Sequence, residues 1–201
     1  MTTAEEITDG RRLKGERRRR AILDATLRVI AREGIGAVSH RNVAREAEVP
    51  PASIAYYFNG IDELLVASLL DSCELLLVKL DETRERVRES SQWPRAVAEM
   101  IAETVRDHRE RTMAEYELYL LAARRPALRP AARRWLEVLR GDVSEGRGGD
   151  DPVARAFLAG LDGLFLQALI ADEPPRADDL EPVLRFLMRP HDHLGTAPPR
   201  G

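Results

Sequence analysis

The sequence predicts an all-α fold of about nine helices, divided between a small N-terminal domain and a larger C-terminal one. Alanine, leucine, arginine and glutamate dominate the composition, and β-branched residues rarely alternate with polar ones. Aromatic residues make up only 5% of the chain. Its 201 residues exceed one minimal domain but are few for two large domains.

Charge is distributed unevenly along the chain. The formal net charge is −3, yet residues 11–20 are heavily basic, so the remainder is correspondingly acidic. Such asymmetry predicts one cationic surface on an anionic body. The basic segment is either a solvated, disordered arm or an arm that binds phosphates.

Composition restricts the class of protein. Hydrophobic residues (44%) and charged residues (32%) occur in proportions typical of a globular protein. No apolar run is long enough to cross a bilayer and the N-terminus lacks a signal-peptide core, so we expect a cytoplasmic protein without membrane contact. The single cysteine, Cys73, lies in an apolar helical run, which favours an inert core thiol in a reducing compartment.

Three helices are predicted in the first third of the chain. The first runs from about Arg17 to Glu33, and its apolar face is formed by Ile22, Thr26, Val29 and Ile30. Ser39 is a good N-cap for a short second helix from about Arg41 to Ala47. Proline is favoured in the first turn of a helix, so a third helix is predicted from Pro51 to about Phe58.

The second and third helices have the order and length of a helix-turn-helix. In that motif the first helix braces the backbone while the second lies in the major groove of DNA. Ile54 and Phe58 are spaced to face the core. The side chains that then point outward are Ala52, Ser53, Tyr56 and Tyr57. Exposed tyrosines suit hydrogen bonds to phosphates and apolar contact with thymine methyl groups, and Arg41 can reach a phosphate or a guanine edge.

An ordinary helical hairpin with both tyrosines in its core explains the helix pattern equally well. Pairs of short helices are common, so the pattern alone does not separate the two interpretations. The basic segment immediately upstream favours DNA binding.

Helical spacing continues through the rest of the chain. It predicts further helices at about 61–88, 97–108, 113–121, after Pro130, at 153–171 and at 179–188. The helix Val153 to Ala171 is apolar nearly all round, so it is either buried within a monomer or covered by a second copy. Residues 191–201 have the composition of a loose tail.

Four motifs follow one another between residues 22 and 65. They are Glu33-Gly34, Ser39-x-Arg41-x-Val43-Ala44-x-x-Ala47-x-Val49, Tyr56-Tyr57-Phe58 and Asp62-Glu63-Leu64-Leu65. In order and spacing this segment resembles the DNA-binding domain of the tetracycline-repressor (TetR) family. The resemblance implies a homodimeric transcriptional regulator, commonly a repressor, that binds double-stranded palindromic operator DNA and is released by a small-molecule effector in its C-terminal domain.

The resemblance also implies which residues contact DNA. Carried over position by position, the contacts fall on His40, Arg41, Pro50, Pro51, Ala52, Ser53, Tyr56 and Tyr57. With the cap residue Ser39, these form the predicted DNA-binding set.

Four positions depart from the family pattern. Glu48 occupies the usual glycine position of the turn, so its backbone must adopt the conformation that glycine normally provides there. Pro50 replaces a serine-type cap and removes a donor. Ala55 and Ile61 stand where a tyrosine and a phosphate-binding lysine are frequent. We therefore hypothesise that residues 11–20 supply more of the affinity for DNA.

The predicted domains are a flexible basic arm (1–16), the helix-turn-helix domain (17–62), the ligand-binding and dimerisation domain (63–190) and a flexible tail (191–201). By the resemblance, Val153 to Ala171 and Asp179 to Met188 form a four-helix bundle with their copies. Gly160 and Gly163 would allow the helices of the two copies to approach closely near the two-fold axis.

Candidate ligand-binding residues mix aromatic bulk with few polar groups. They are His108, Met113, Tyr116, Glu117, Leu120, Phe157, Asp162 and Phe165. For each one, core packing is the alternative role. Glu117 and Asp162 are acids among apolar residues, so each needs an internal arginine, a dimer contact or a cationic ligand.

The main alternative from another class of protein is an enzyme. The sequence contains no glycine-rich phosphate loop and no nucleophile elbow, so neither catalysis nor a cofactor is expected. His191 and His193 could bind a metal, but they stand in the tail, and no metal site is predicted. A second alternative is a TetR-like protein that has lost DNA binding and acts through protein contacts, which Ala55 and Ile61 would permit.

Overall fold

A computed structural model describes residues 4–87, 89–143 and 152–188. Within these ranges the chain forms eight α-helices joined by turns and short 3-10 segments. They are α1 (Ala4–Glu33), α2 (His40–Glu46), α3 (Pro51–Tyr57), α4 (Ile61–Arg86), α5 (Trp93–Leu121), α6 (Arg129–Val143), α7 (Pro152–Ile170) and α8 (Ala177–Leu187). The all-α prediction is confirmed. The predicted tail 191–201, with His191 and His193, lies outside the described residues.

The fifth helix explains why eight helices are found where about nine were predicted. The sequence predicts separate helices that end at His108 and begin at Met113, but α5 runs through both. It is bent at His108, whose backbone dihedrals (φ −134°, ψ 25°) are not helical. Two helical segments are therefore present, joined by a bend rather than a break.

Contacts divide the described chain into two compact units. Residues 4–76 and 110–135 form the first unit, and residues 77–109 and 136–188 form the second. Helices α4 and α5 each contribute to both units. The domain boundary at residue 62 therefore stays a prediction.

Helix α1 begins well before its predicted start near Arg17. Residues 4–16 continue the helix, where a separate flexible arm was predicted. Arginine, lysine and glutamate have high helix propensity, and Arg12 pairs with Glu16 one turn later at 3.7 Å. Both effects favour helix, so these basic residues belong to α1.

The predicted apolar face of α1 lies in the core of the first unit. Ile22, Thr26, Val29 and Ile30 are fully buried, and the Thr26 hydroxyl donates to the Ile22 carbonyl at 2.9 Å. Helix α2 packs against both α1 and α3. Cys73 is also buried, and burial raises the pKa of its thiol to about 12, as an inert core thiol requires.

In the second unit, α7 packs against α8 through a close approach at Gly160. A Cβ atom at that position would lie 2.5 Å from Cδ1 of Leu187. The sequence suggested that Gly160 and Gly163 serve an approach between two copies. Gly160 instead faces α8 of its own chain, whereas a Cβ at Gly163 would meet no described atom within 4 Å.

The helices α7 and α8 also carry exposed apolar side chains. The exposed fractions are 40% for Leu166, 83% for Ile170, 42% for Val183 and 60% for Phe186. Large apolar side chains clustered on two adjacent helices are typical of a surface that a partner covers. None of the described helices combines the length and apolar character needed to cross a bilayer.

Candidate nucleic-acid interface

The start of α2 is held by local contacts that the sequence predicts. Ser39 is its N-cap in extended conformation (φ −145°), and its hydroxyl accepts a hydrogen bond from the Asn42 backbone N–H at 3.2 Å. Val38 and Val43 on either side of the cap are buried. The direction of α2 is therefore fixed from its first turn.

The turn between α2 and α3 closes without a glycine. Glu48 has a positive φ of 55°, a left-handed conformation that residues with a Cβ rarely adopt. The Val49 backbone N–H donates to the Ala44 carbonyl at 3.0 Å, which ties the turn to α2. The expectation that Glu48 takes the conformation of the usual glycine is confirmed.

Helix α3 is positioned by two apolar anchors. Ile54 is 0% and Phe58 2% exposed, as their spacing predicts. On the opposite face Pro51, Ala52, Ala55 and Tyr56 are exposed, and Tyr56 reaches 82%. Pro50 precedes the helix in extended conformation and is exposed as well. The hairpin with both tyrosines in its core is therefore excluded.

Tyr57 departs from the prediction that both tyrosines point outward. It is half-buried, and its ring meets Tyr56 edge-on with 5.0 Å between centroids. Gly15 of α1 lies close to this side chain: a Cβ atom added to Gly15 would be 3.6 Å from the Tyr57 hydroxyl. The longer α1 passes the end of α3, which the sequence pattern did not indicate, and covers part of this side chain. Ser53 is likewise half-buried.

The same passage of α1 brings a cation to the end of α3. The guanidinium carbon of Arg19 stands 5.5 Å from the centre of the Phe58 ring, within cation–π range. Arg17, Arg18 and Arg20 next to it are exposed. The basic segment thus lies on a helix that passes the C-terminal end of α3, a contact that only the three-dimensional structure reveals.

Helix α2 is braced against α1 by charge pairs. Glu46 accepts a hydrogen bond from Nε of Arg28 at 2.7 Å and pairs with Arg32 at 3.0 Å. The hydrogen bond from Arg28 is the main cause that lowers the pKa of Glu46. Arg41, in the first turn of α2, is exposed, while His40 is half-buried.

The first unit contains a second polar cluster, which joins α1, α4 and the later part of α5. Arg111 donates to Asp24 at 2.8 Å and to Glu115 at 3.0 Å. Arg20 lies 3.4 Å from Asp71, a residue only 8% exposed. Burial raises the pKa of Asp71, because its ionised form loses hydration.

The candidate ligand-binding residues fall in both units. Met113, Tyr116, Glu117 and Leu120 belong to the first, and His108, Phe157, Asp162 and Phe165 to the second. Tyr116 and Phe157 are buried, Asp162 and Phe165 are half-buried, and His108, Met113, Glu117 and Leu120 are exposed. The expectation that Glu117 is enclosed by apolar side chains is wrong for the single chain, because Glu117 is exposed. Met113 and Leu120 share its helix face and are exposed with it, so this face of α5 is uncovered.

Potential metal ligands do not gather in the described ranges. No group of three or more histidine, cysteine or acidic side chains there is arranged to hold an ion.

Two family models match the chain. Residues 22–68 match the model described as bacterial regulatory proteins, tetR family. Residues 88–190 match the model described as tetracyclin repressor-like, C-terminal domain. The first match contains the helix-turn-helix, and the second covers about half of the chain.

Individual relatives agree with these models. The chain is 29% identical to the HTH-type nicotine-responsive transcriptional repressor HdnoR of Paenarthrobacter nicotinovorans, over 81% of this chain and 89% of that protein. The multidrug binding protein EbrR, solved with imidazole, is 37% identical over 85% of this chain and 94% of its own, with a TM-score of 0.69. Further EbrR structures contain ethidium, malachite green and proflavin. A TetR family member from Streptomyces coelicolor A3, SCO1917, is 37% identical over 85% of this chain and 97% of its own, with a TM-score of 0.72.

Proposed function

This chain belongs to the TetR family of bacterial transcriptional regulators, and we propose that it contacts its operator through the outer face of α2 and α3. It is a helix-turn-helix regulator with a C-terminal ligand-binding domain and not an enzyme. The proposed DNA-binding residues are Ser39, His40, Arg41, Pro50, Pro51, Ala52, Ser53, Tyr56 and Tyr57. Since operator DNA is its partner, we place the protein in the cytoplasm.

The observation that carries this proposal is the two-sided character of α3. Ile54 and Phe58 anchor one face in the core, while Tyr56 on the other face is 82% exposed. An aromatic side chain so exposed on a seven-residue helix gains nothing from the protein interior. A major groove admits one helix and offers such a side chain both phosphates and base edges.

Affinity for the phosphate backbone is assigned to the basic part of α1. Arg17 and Arg18 are exposed on a helix that reaches the end of α3. Exposed arginines release counterions from DNA when they bind phosphates, which makes the affinity dependent on salt. They would compensate for the phosphate-binding lysine that Ile61 replaces.

We propose that two copies associate through α7 and α8. Ile170 and Phe186 lie on these helices and are among the most exposed large apolar residues of the described chain. Covering them with a second copy buries apolar surface and gives the two-fold symmetry that a palindromic operator requires.

We also propose that the effector is an aromatic cation. EbrR is described with ethidium, malachite green and proflavin, and HdnoR as nicotine-responsive. In this chain Asp162 is a half-buried acid on α7, close in sequence to Phe157 and Phe165. Phe165 is three residues from Asp162 and so shares its helix face, and a carboxylate beside an aromatic ring suits a flat cation. A thermal-shift series with ethidium, proflavin and malachite green should raise the melting temperature, and no shift with any of them would count against this class of effector.

The DNA interface is tested by salt-titrated binding to a duplex from the region flanking the chain's own gene. The slope of log affinity against log salt is about −0.9 per neutralised phosphate. Replacing both Arg17 and Arg18 by glutamine should flatten that slope by about four contacts, two from each chain of the dimer, and Arg41→Ala should weaken binding. The matched control is Arg133→Ala, an exposed arginine of α6, which should change neither quantity.

Two outcomes would contradict the proposal. The salt slope could be the same for the Arg17→Gln/Arg18→Gln protein as for the Arg133→Ala protein. That result would show that α1 is not part of the DNA interface. Wild-type binding that is equally tight on every duplex would mean that no operator is read. A helical regulator that acts through protein contacts alone would bind none of the duplexes.

A further inference from the structure

We propose that α3 reads its operator half-site mainly through the 5-methyl groups of thymine, contacted by Ala52, Ala55 and Tyr56. This inference rests on the proposed DNA-binding face. It goes further by naming the chemical group of the operator that this face recognises. Thymine is the base that presents a methyl group in the major groove, and alanine and aromatic side chains are suited to contact it.

The side chains of α3 are unsuited to paired hydrogen bonds with base edges. Residues 50–58 contain no arginine, lysine, asparagine, glutamine, aspartate or glutamate. Those are the side chains that form paired hydrogen bonds with guanine, adenine or cytosine edges. Hydroxyl groups are the polar side-chain groups that remain, on Ser53, Tyr56 and Tyr57. Recognition by α3 therefore depends on shape, apolar contact and single hydrogen bonds from these hydroxyl groups.

The nearest amide side chains, those of Asn42 and Asn59, form hydrogen bonds within the protein. Asn59 donates from its Nδ2 to the Glu63 carboxylate at 2.8 Å, and its backbone N–H donates to the same oxygen at 2.9 Å. Asn42 donates from its Nδ2 to the Ala37 carbonyl at 2.8 Å. Both amides are therefore held by hydrogen bonds within the protein. Arg41 on α2 remains available for a phosphate or a guanine, outside α3.

Three small or aromatic side chains form one exposed strip along α3. Ala52, Ala55 and Tyr56 stand at positions i, i+3 and i+4, which are neighbours on one helix face. All three are exposed. The two methyl side chains let the helix backbone approach the base edges closely. The Tyr56 ring is supported edge-on by Tyr57, 5.0 Å away, so it presents an ordered apolar surface.

The contribution of each contacted methyl group follows from the apolar surface it buries. Removing one buried methyl group lowers affinity about fourfold. A palindromic operator presents each contact twice, so replacing one contacted thymine in both half-sites should lower affinity about 16-fold.

The test begins with selection of tight-binding duplexes from a random pool by the full-length protein. Each thymine of the selected half-sites is then replaced in turn by deoxyuridine, which keeps every hydrogen-bonding group and lacks the methyl group. Replacements in the flanks serve as the DNA control. We expect at least one symmetric half-site replacement to weaken binding by about 16-fold, while flank replacements have no effect.

Protein variants then assign the contact. Tyr56→Phe keeps the ring and should keep the uracil effect, whereas Tyr56→Ala or Ala55→Ser should reduce it at the thymine that each side chain touches. Ala123→Ser, an exposed alanine after α5, is the matched control. Selected duplexes that are insensitive to uracil would overturn the inference, and so would a uracil effect unchanged in both the Tyr56→Ala and Ala55→Ser proteins. Failure to select any duplex would instead refute the proposed DNA-binding face.

Discussion

Glycine at position 48 should stabilise the protein. The left-handed conformation costs a residue with a Cβ about 1–2 kcal/mol, and Glu48 adopts it with φ 55°. Glycine removes that cost, but it loses about 0.5–1 kcal/mol more conformational entropy on folding. The net gain expected for Glu48→Gly is about 0.5–1 kcal/mol for each chain.

The assay is thermal unfolding at one fixed protein concentration without DNA. For a chain of this size, each kcal/mol corresponds to about 2–4 °C in melting temperature, so the Glu48→Gly protein should melt about 1–4 °C higher. Glu48→Ala is the control, because it also removes the carboxylate but keeps the Cβ that makes the conformation costly. It should melt at or below the wild-type temperature.

A Glu48→Gly protein that melts no higher than wild type would show that the turn stores no strain at this residue. An equal rise in the Glu48→Ala protein would refute the reasoning in another way, since the gain would then come from the lost charge.

Three other substitutions test the remaining structural claims. Arg111→Met should destabilise the first unit by about 2 kcal/mol, because Asp24 and Glu115 lose a charged donor, and chemical denaturation measures the change. Phe186→Glu should raise the dimer dissociation constant by about 100-fold or more in analytical ultracentrifugation, since the buried ring occurs twice in the interface. Asp71→Asn should gain stability over wild type as the pH rises from about 4 to 7, because the raised pKa of Asp71 favours the folded state only while the carboxyl is protonated. A stability difference between the Asp71→Asn protein and wild type that does not change with pH would contradict the raised pKa of Asp71.

Much of the helix-turn-helix could be predicted because its signals are local. Ser39 caps α2 through a contact three residues away, and Pro51 opens α3 from its own first turn. The unusual backbone of Glu48 followed from one departure in a short motif. Each of these features depends on neighbouring residues along the chain, which a sequence displays directly.

The features that the sequence did not predict depend on contacts between distant segments. Tyr57 is half-buried because α1 extends past α3. Gly160 faces Leu187 within one chain, although its spacing also suited a contact between two chains. Glu117 is exposed on a face of α5 that no described part of the chain covers. A periodic pattern identifies an apolar face but not the element that packs against it.

The most direct measurement of the proposed interface is a photo-cross-link between the protein and its selected duplex, with 5-iodouracil in place of the half-site thymines. Trypsin cleaves after Arg45 and Lys79, so α3 lies within a single peptide, residues 46–79. We expect mass spectrometry to find the cross-link in that peptide, at Tyr56, and to lose it in the Tyr56→Ala protein. Cross-links confined to peptides of α7 or α8, with none in residues 46–79, would contradict entry of α3 into the major groove.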